Sequence, residues 1–198
     1  MKNGYIYTIC FMLVLTIILG TGLALANDYF HPIIQNNRDL AEKQAVLDAF
    51  ALDSAGSPAE IEARFTNSIR TAERDGLRTY SRLDSAGTAD AFAVPFSGPG
   101  LWGTIKGYLA VSSDLQKILG IVFTEQNETP GLGGRIDEVV FRNQFRDLPI
   151  VAGEKLAYGA EGGGKLDAIA GATSSSRAVL QIVNSLIDEG LPGLEAVP

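Results

Sequence analysis

From residue 5 to residue 26 no charged side chain occurs, and Ile6, Ile9, Phe11, Met12, Leu13, Val14, Leu15, Ile17, Ile18 and Leu19 make the run strongly apolar. About 20 such residues cross a bilayer as a helix, so this stretch predicts one membrane span. The pattern then becomes amphipathic. Over residues 39–52, Leu40, Val46, Leu47, Phe50 and Ala51 fall at helix-like intervals with charges between them. Ser57-Pro58-Ala59-Glu60 is a helix opening, with a capping hydroxyl, proline in the first turn and a glutamate three residues on. It predicts a helix over residues 58–74, stopped at Asp75-Gly76. Strands are predicted over residues 77–83, 92–96, 104–111 and 118–124. The third is the clearest, with Ile105, Gly107, Leu109 and Val111 alternating against Thr104, Lys106, Tyr108 and Ala110. A helix over 136–145, a short pairing segment near 149–151 and an amphipathic helix over 173–187 follow, the last marked by Val179, Ile182, Val183, Leu186 and Ile187. Strands flanked by grouped helices predict an α+β fold: a single domain with a mixed or antiparallel sheet, residues 28–198, preceded by a transmembrane anchor, residues 1–27. Gly162, Gly163 and Gly164 form a flexible approach to Asp167, and residues 190–198 have little to bury and are expected to fray.

Composition adjusts this reading at few points. Of 198 residues 46% are hydrophobic and 20% charged, enough for one soluble domain and an anchor. Lys2, the only charge before the apolar run, favours a cytoplasmic amino end with the domain on the far side. Ala24-Leu25-Ala26 has the form of a signal-peptide cleavage site, but the run exceeds the about 7 to 15 apolar residues of a signal, which favours a retained anchor. Export follows either way. The net charge of −7 includes Lys2, so the exported part is one unit more negative, which argues against nucleic acid and anionic headgroups as partners. Cys10 lies within the apolar run and, as the sole cysteine, makes no internal disulfide; His31 is the sole histidine and builds no histidine cluster for a metal. Ser174, Ser175 and Ser176 lack a histidine partner for hydrolysis. Asp137 and Glu138, like Asp188 and Glu189, are adjacent and diverge on a helix, as on a solvated face.

Three segments carry candidate chemistry. In Asp167-Ala168-Ile169-Ala170-Gly171-Ala172-Thr173, two small residues precede hydroxyl-bearing Thr173 to Ser176 at the mouth of the last helix. Those residue types cap helices, and the first free N–H groups with the positive end of the helix dipole form a phosphate site. In Glu128-Thr129-Pro130-Gly131-Leu132-Gly133-Gly134, Pro130-Gly131 predicts a tight turn with Gly131 at positive φ. Leu132 offers an apolar contact to a flat ring, with Glu128 and Thr129 at its polar edge. In Gly98-Pro99-Gly100-Leu101-Trp102-Gly103, a glycine-rich turn carries the only tryptophan. Packing into the turn or core is the expected role of Trp102, and lining a ligand pocket together with Leu101 is the rival. Arg135 and Lys165 read as surface charges, with contact to a phosphate as the alternative.

These segments resemble the FMN-binding domain family, which includes the NqrC and RnfG subunits of membrane redox pumps. Asp167, Gly171, Ala172 and Thr173 match its flavinylation motif Asp-x-x-Ser/Thr-Gly-Ala-Thr, and residues 128–133 match its Glu-Thr-Pro-Gly-Leu-Gly loop without a mismatch. The resemblance implies FMN held through a phosphoester on Thr173, with Asp167, Gly171, Ala172, Glu128, Thr129, Leu132, Gly133, Leu101 and Trp102 around it. It also implies a separate flavin transferase, other subunits of a membrane complex as partners, and an inner-membrane protein with its domain on the outer, periplasmic face. The double glycine at 133–134, the Gly-Leu-Trp turn and the run from Gln35 to Leu47 look closer to the NqrC subunit of Na+-translocating NADH:quinone reductase than to the RnfG subunit of a ferredoxin:NAD+ complex. In either the subunit relays electrons and has no substrate site of its own. The chain departs from the motif at Ala170, where the family has Ser or Thr; this keeps open an anchored scaffold or a stand-alone flavin carrier without covalent flavin.

Overall fold

The computed structural model describes residues 2–74, 76–151, 153–159 and 164–191. The chain divides into two units, Met1–Leu40 and Ala41–Pro198. The first belongs to helix α1 (Lys2–Ala49), which is one helix rather than the two segments expected. Asp28, the polar run Gln35-Asn36-Asn37 and Arg38 interrupt the apolar pattern but leave the backbone free to stay helical. Pro32 lies inside the helix, where it removes one backbone bond. By length and composition α1 is the one helix among the described residues suited to crossing a membrane.

In the second unit, six strands form an antiparallel meander in the order β1-β2-β3-β4-β5-β6: β1 (Ile69–Arg74), β2 (Leu77–Leu83), β3 (Ala89–Pro99), β4 (Thr104–Ser112), β5 (Lys117–Glu125) and β6 (Leu148–Pro149). Helix α2 (Pro58–Ser68) opens on the expected capping box between Ser57 and Glu60. It ends six residues earlier than expected, because residues 69–74 pair with β2 from Ile69↔Arg82 to Arg74↔Leu77. Gly76, read as part of a helix stop, lies instead in the connection of this hairpin, at φ +76°. The helix expected over 136–145 is a 3-10 turn (Gly133–Asp137) followed by the short α3 (Val139–Asn143). Helix α4 (Thr173–Ser185) begins where expected and finishes in a π turn (Leu186–Gly190). Leu191, placed in the expected frayed tail, is buried. Residues 192–198, Gly162 and Gly163 lie outside the described residues.

The sheet is covered on both faces. Val94, Phe96, Ile105, Leu109, Val111 and Ile118 form one core with Val179, Ile182 and Val183 of α4 and with Ile136, Phe141 and Phe145. On the other face Tyr80, Ala93, Tyr108 and Ala110 are buried, as are Val46, Leu47 and Phe50 at the end of α1 and Ile61 and Phe65 of α2. Hence β4 alternates only at its start and is buried on both faces from Gly107 to Val111.

Glu42 ties the end of α1 to this second face. Its Oε1 accepts from the hydroxyls of Tyr80 at 2.7 Å and Tyr108 at 2.8 Å, and its Oε2 accepts from Arg78 at 3.3 Å. Burial, then the Glu42 contact, pushes Tyr80 from 10.0 up to about 12 and raises Tyr108 as well. A group whose folded value is raised contributes stability that is complete below its unfolded value and lost as pH climbs through the folded one. Chemical denaturation should therefore give a constant midpoint up to pH 10 and a falling one toward about pH 12. The Tyr80→Phe/Tyr108→Phe double variant should flatten that decline, and an unchanged slope would assign it elsewhere.

Half of β3 has no partner on the β2 side, since β2 reaches only as far as Tyr80↔Ala93. Along the free half, Pro95 pairs with Tyr108 and Pro99 with Thr104 across β4. Proline has no N–H, so by the two-residue period of the ladder Pro95, Ser97 and Pro99 direct their backbone groups away from β4, with Ser97 supplying the only outward donor. An open groove of about 960 Å³ lies beside this edge, lined by Leu77, Pro95, Phe96, Ile182 and Leu186 among others.

Candidate functional site

At the head of α4 the first residue outside the helix is Ala172, at φ −132° and ψ 40°, and no side chain caps the end. The capping expected of Thr173 to Ser176 does not occur. Ser175 and Ser176 are buried and turned inward: the Ser176 hydroxyl accepts from Ile169 N–H at 3.0 Å and donates to the Ala172 carbonyl at 3.1 Å, while its own carbonyl accepts from Tyr158 at 2.8 Å. These bonds hold residues 169–172 against the first turn. Gly171 supplies the reversal at φ +78°. Thr173 and Ser174 remain exposed, on a helix start whose leading N–H groups no side chain among the described residues occupies. The uncapped helix start suits a phosphate.

The Glu128 loop closes as the sequence implied. Thr129 accepts from Leu132 N–H at 3.1 Å and Gly134 N–H at 3.0 Å, with Pro130 and Gly131, at φ +74°, in the two central positions of a type II turn. Leu132 is 46% exposed, and a Cβ added at Gly171 would lie 3.5 Å from its Cδ2, so this leucine stands beside the approach to Thr173.

Glu128 itself is only 4% exposed. Its Oε1 accepts from the N–H groups of Leu101 at 2.8 Å and Trp102 at 3.1 Å, and its Oε2 from the Ser175 hydroxyl at 2.5 Å. Both oxygens are thus engaged within the protein, and the side chain braces three segments instead of reaching outward to a ring edge. The space is tight: a Cβ at Gly133 would stand 2.3 Å from the Ser175 Oγ and 2.8 Å from Glu128 Oε2. The turn it holds, between β3 and β4, closes through Gly100 N–H to the Gly103 carbonyl at 2.7 Å. Trp102 sits at its tip 70% exposed, so the expected packing role is overturned; Leu101 is exposed beside it. A four-residue turn bonded at both ends leaves an indole no interior to enter.

Asp167 donates its N–H to Gln144 Oε1 at 2.6 Å and accepts from Gln144 Nε2 at 3.2 Å through its carbonyl. The residue stays at the surface. Arg135 pairs with Glu138 at 3.0 Å, a contact that raises its guanidinium above the ordinary value, and Lys165 is exposed. Among the described residues no contact directs either of them to the head of α4. Ser175 and Gln144, the partners that fix Glu128 and Asp167, carried no signal in the sequence. Among the described residues no three His, Cys, Asp or Glu side chains gather as metal ligands.

Comparison with known proteins agrees with this geometry. The FMN-binding domain matches residues 100–188. The G subunit of the ion-translocating oxidoreductase complex of Methanosarcina acetivorans is 39% identical over 109 residues, 55% of this chain and 56% of that protein. The C subunit of the Na(+)-translocating NADH-quinone reductase of Pseudomonas aeruginosa is 33% identical over 140 residues, 65% of this chain and 53% of that one. The chain thus spans about half the length of these curated relatives. The crystal structure of the C subunit of Na(+)-translocating NADH-quinone reductase from Parabacteroides distasonis superposes with a TM-score of 0.68 at 25% identity, covering 84% of this chain and 96% of that one. Shewanella oneidensis NqrC, at 20% identity and a TM-score of 0.66, shares the fold. The matched region, residues 100–188, contains the Trp102 turn, the Glu128 loop and the head of α4, so the likeness to the FMN-binding domain falls on the candidate site itself.

Proposed function

We propose that this protein is an electron-transfer flavoprotein subunit of an ion-translocating membrane redox complex, with FMN attached through a phosphoester on Thr173. The observation that carries the reading is the head of α4, an uncapped helix start with exposed Thr173 closely following Gly171 at φ +78°. The N–H groups of the first turn would hold the phosphate, Leu132 and the Leu101–Trp102 turn would flank the ring, and Asp167 offers an exposed carboxylate for recognition during maturation. FMN, when bound, supplies reversible one- and two-electron chemistry, and the chain sets its position and surroundings. Among the described residues no contact places a base beside Thr173, so attachment requires a flavin transferase and a flavin nucleotide whose phosphoanhydride breaks as the Oγ–P bond forms.

Residues 1–27 act as a retained anchor and residues 28–198 as a domain on the outer face of a bacterial cytoplasmic membrane. Among complexes, the Na(+)-translocating NADH-quinone reductase is favoured, because the P. distasonis protein is covered over 96% of its length. A role like that of the M. acetivorans protein, in another ion-translocating complex, is the second reading, supported by the 39% identity between the two chains. In both, this subunit passes electrons between partners.

The test is an intact mass of the full chain produced together with a flavin transferase. One FMN per polypeptide through a phosphoester is expected; folded material of bare polypeptide mass, made by a transferase active on other substrates, would refute covalent attachment. Ala170 is exposed, so Ala170→Thr adds the missing motif hydroxyl without disturbing packing. It should raise the flavinylated fraction, and an unchanged fraction would mean that attachment does not read this position.

A further inference from the structure

We propose that Glu128 is a positioning residue that couples the Trp102 turn to the head of α4 and so fixes the flavin's two supports in one register. The inference rests on the flavin reading above. Glu128 makes its three hydrogen bonds from one buried carboxylate, one oxygen to the turn between β3 and β4 and the other to the first turn of α4. These segments lie 26 to 47 residues from it in sequence. A buried acceptor that loses its donors, or donors that lose their acceptor, carry an uncompensated desolvation penalty, so the three segments move together or not at all.

Two consequences follow for the site. The Ser175 hydroxyl, at the third position of α4, is committed to Oε2, so the first turn of the helix is fixed against Glu128. The helix start, where Ala172 provides no side-chain cap, is thereby held at a set distance from the loop. On the other side, Oε1 binds the two successive N–H groups of Leu101 and Trp102, which orients this stretch of backbone and presents both side chains to solvent at 55% and 70% exposure. The exposed indole is held in place by its backbone, not by packing. Glu128 thus acts on a flavin through Ser175 and Trp102 without touching it.

The single tryptophan makes the coupling measurable without cofactor. The experiment uses the full chain in detergent, made with and without a flavin transferase, as wild type, Glu128→Ala, Glu128→Gln and Ser175→Ala. In flavin-free Glu128→Ala, tryptophan anisotropy should drop and acrylamide quenching should rise. Its rate of flavin attachment should fall about tenfold or more, toward the roughly hundredfold that a misplacement of about 1 Å can cost. Glu128→Gln keeps an acceptor for the turn and a group to meet Ser175, and should restore anisotropy and most of the rate. Ser175→Ala should slow attachment severalfold and leave anisotropy at the wild-type value, because the bonds to Leu101 and Trp102 persist. Wild-type anisotropy in Glu128→Ala, or wild-type attachment in Ser175→Ala, would overturn the proposal. Should Glu128→Ala not fold, the Ser175→Ala and Glu128→Gln results decide it. If the wild-type chain takes no flavin, the flavin reading fails, while the anisotropy series still tests the brace by itself.

Discussion

Thr173→Val should abolish flavin attachment and leave the fold intact. The Thr173 side chain is exposed and caps no helix N–H, and valine keeps its shape while removing the hydroxyl. At the first position of a helix the change in propensity is a few tenths of a kcal/mol, so the unfolding free energy should change by less than about 0.5 kcal/mol. The mass of protein made with a transferase should fall to that of bare polypeptide, and in-gel flavin fluorescence should disappear. Thr173→Ser, which retains a hydroxyl at the same place, should keep both signals. Flavin that persists in the valine variant would locate the attachment at another residue.

Gly133→Val acts in the opposite way, on the framework. A Cβ at this position meets the Ser175 Oγ at 2.3 Å and Glu128 Oε2 at 2.8 Å, and neither atom can give way, since each is fixed by the other and Glu128 is also bonded to two N–H groups. Overpacking together with loss of a buried hydrogen bond should lower stability by about 2–4 kcal/mol. Flavin attachment should fail with it, because the same displacement reaches the first turn of α4. Gly134→Ala is the control: its nearest contact would be the Thr129 carbonyl at 3.3 Å, and the loss should be much smaller. Equal denaturation midpoints for the two variants would remove the argument from crowding.

How far the sequence foretold this molecule depended on whether the deciding interaction was local. The capping box of Ser57 and Glu60, the Pro130-Gly131 turn, and strands β4 and β5 were legible because each is set by neighbouring residues or by period. Residues 69–74 were not, because their charged and apolar side chains fit a helix equally well and only pairing with β2 selects the strand. The motif residues of the site were visible, and so was the chemistry of an open helix start. Hidden were the partners that place them. A buried serine such as Ser175 looks in sequence like its exposed neighbour Ser174, and a lone Gln144 has no periodicity at all. Glu128 was recognised as important but assigned outward, since nothing in one dimension shows that two backbone N–H groups and a hydroxyl converge on it. Trp102 was misjudged because large aromatic residues are buried on average.

The prolines of β3 bear on how this domain meets other chains. An extended segment of another molecule that approached residues 95–99 would find a single donor, Ser97 N–H, where an ordinary strand would present three. Polymerisation by strand addition is thereby discouraged along this unpaired stretch of sheet, and encounters with other chains are left to side chains, which can part again quickly.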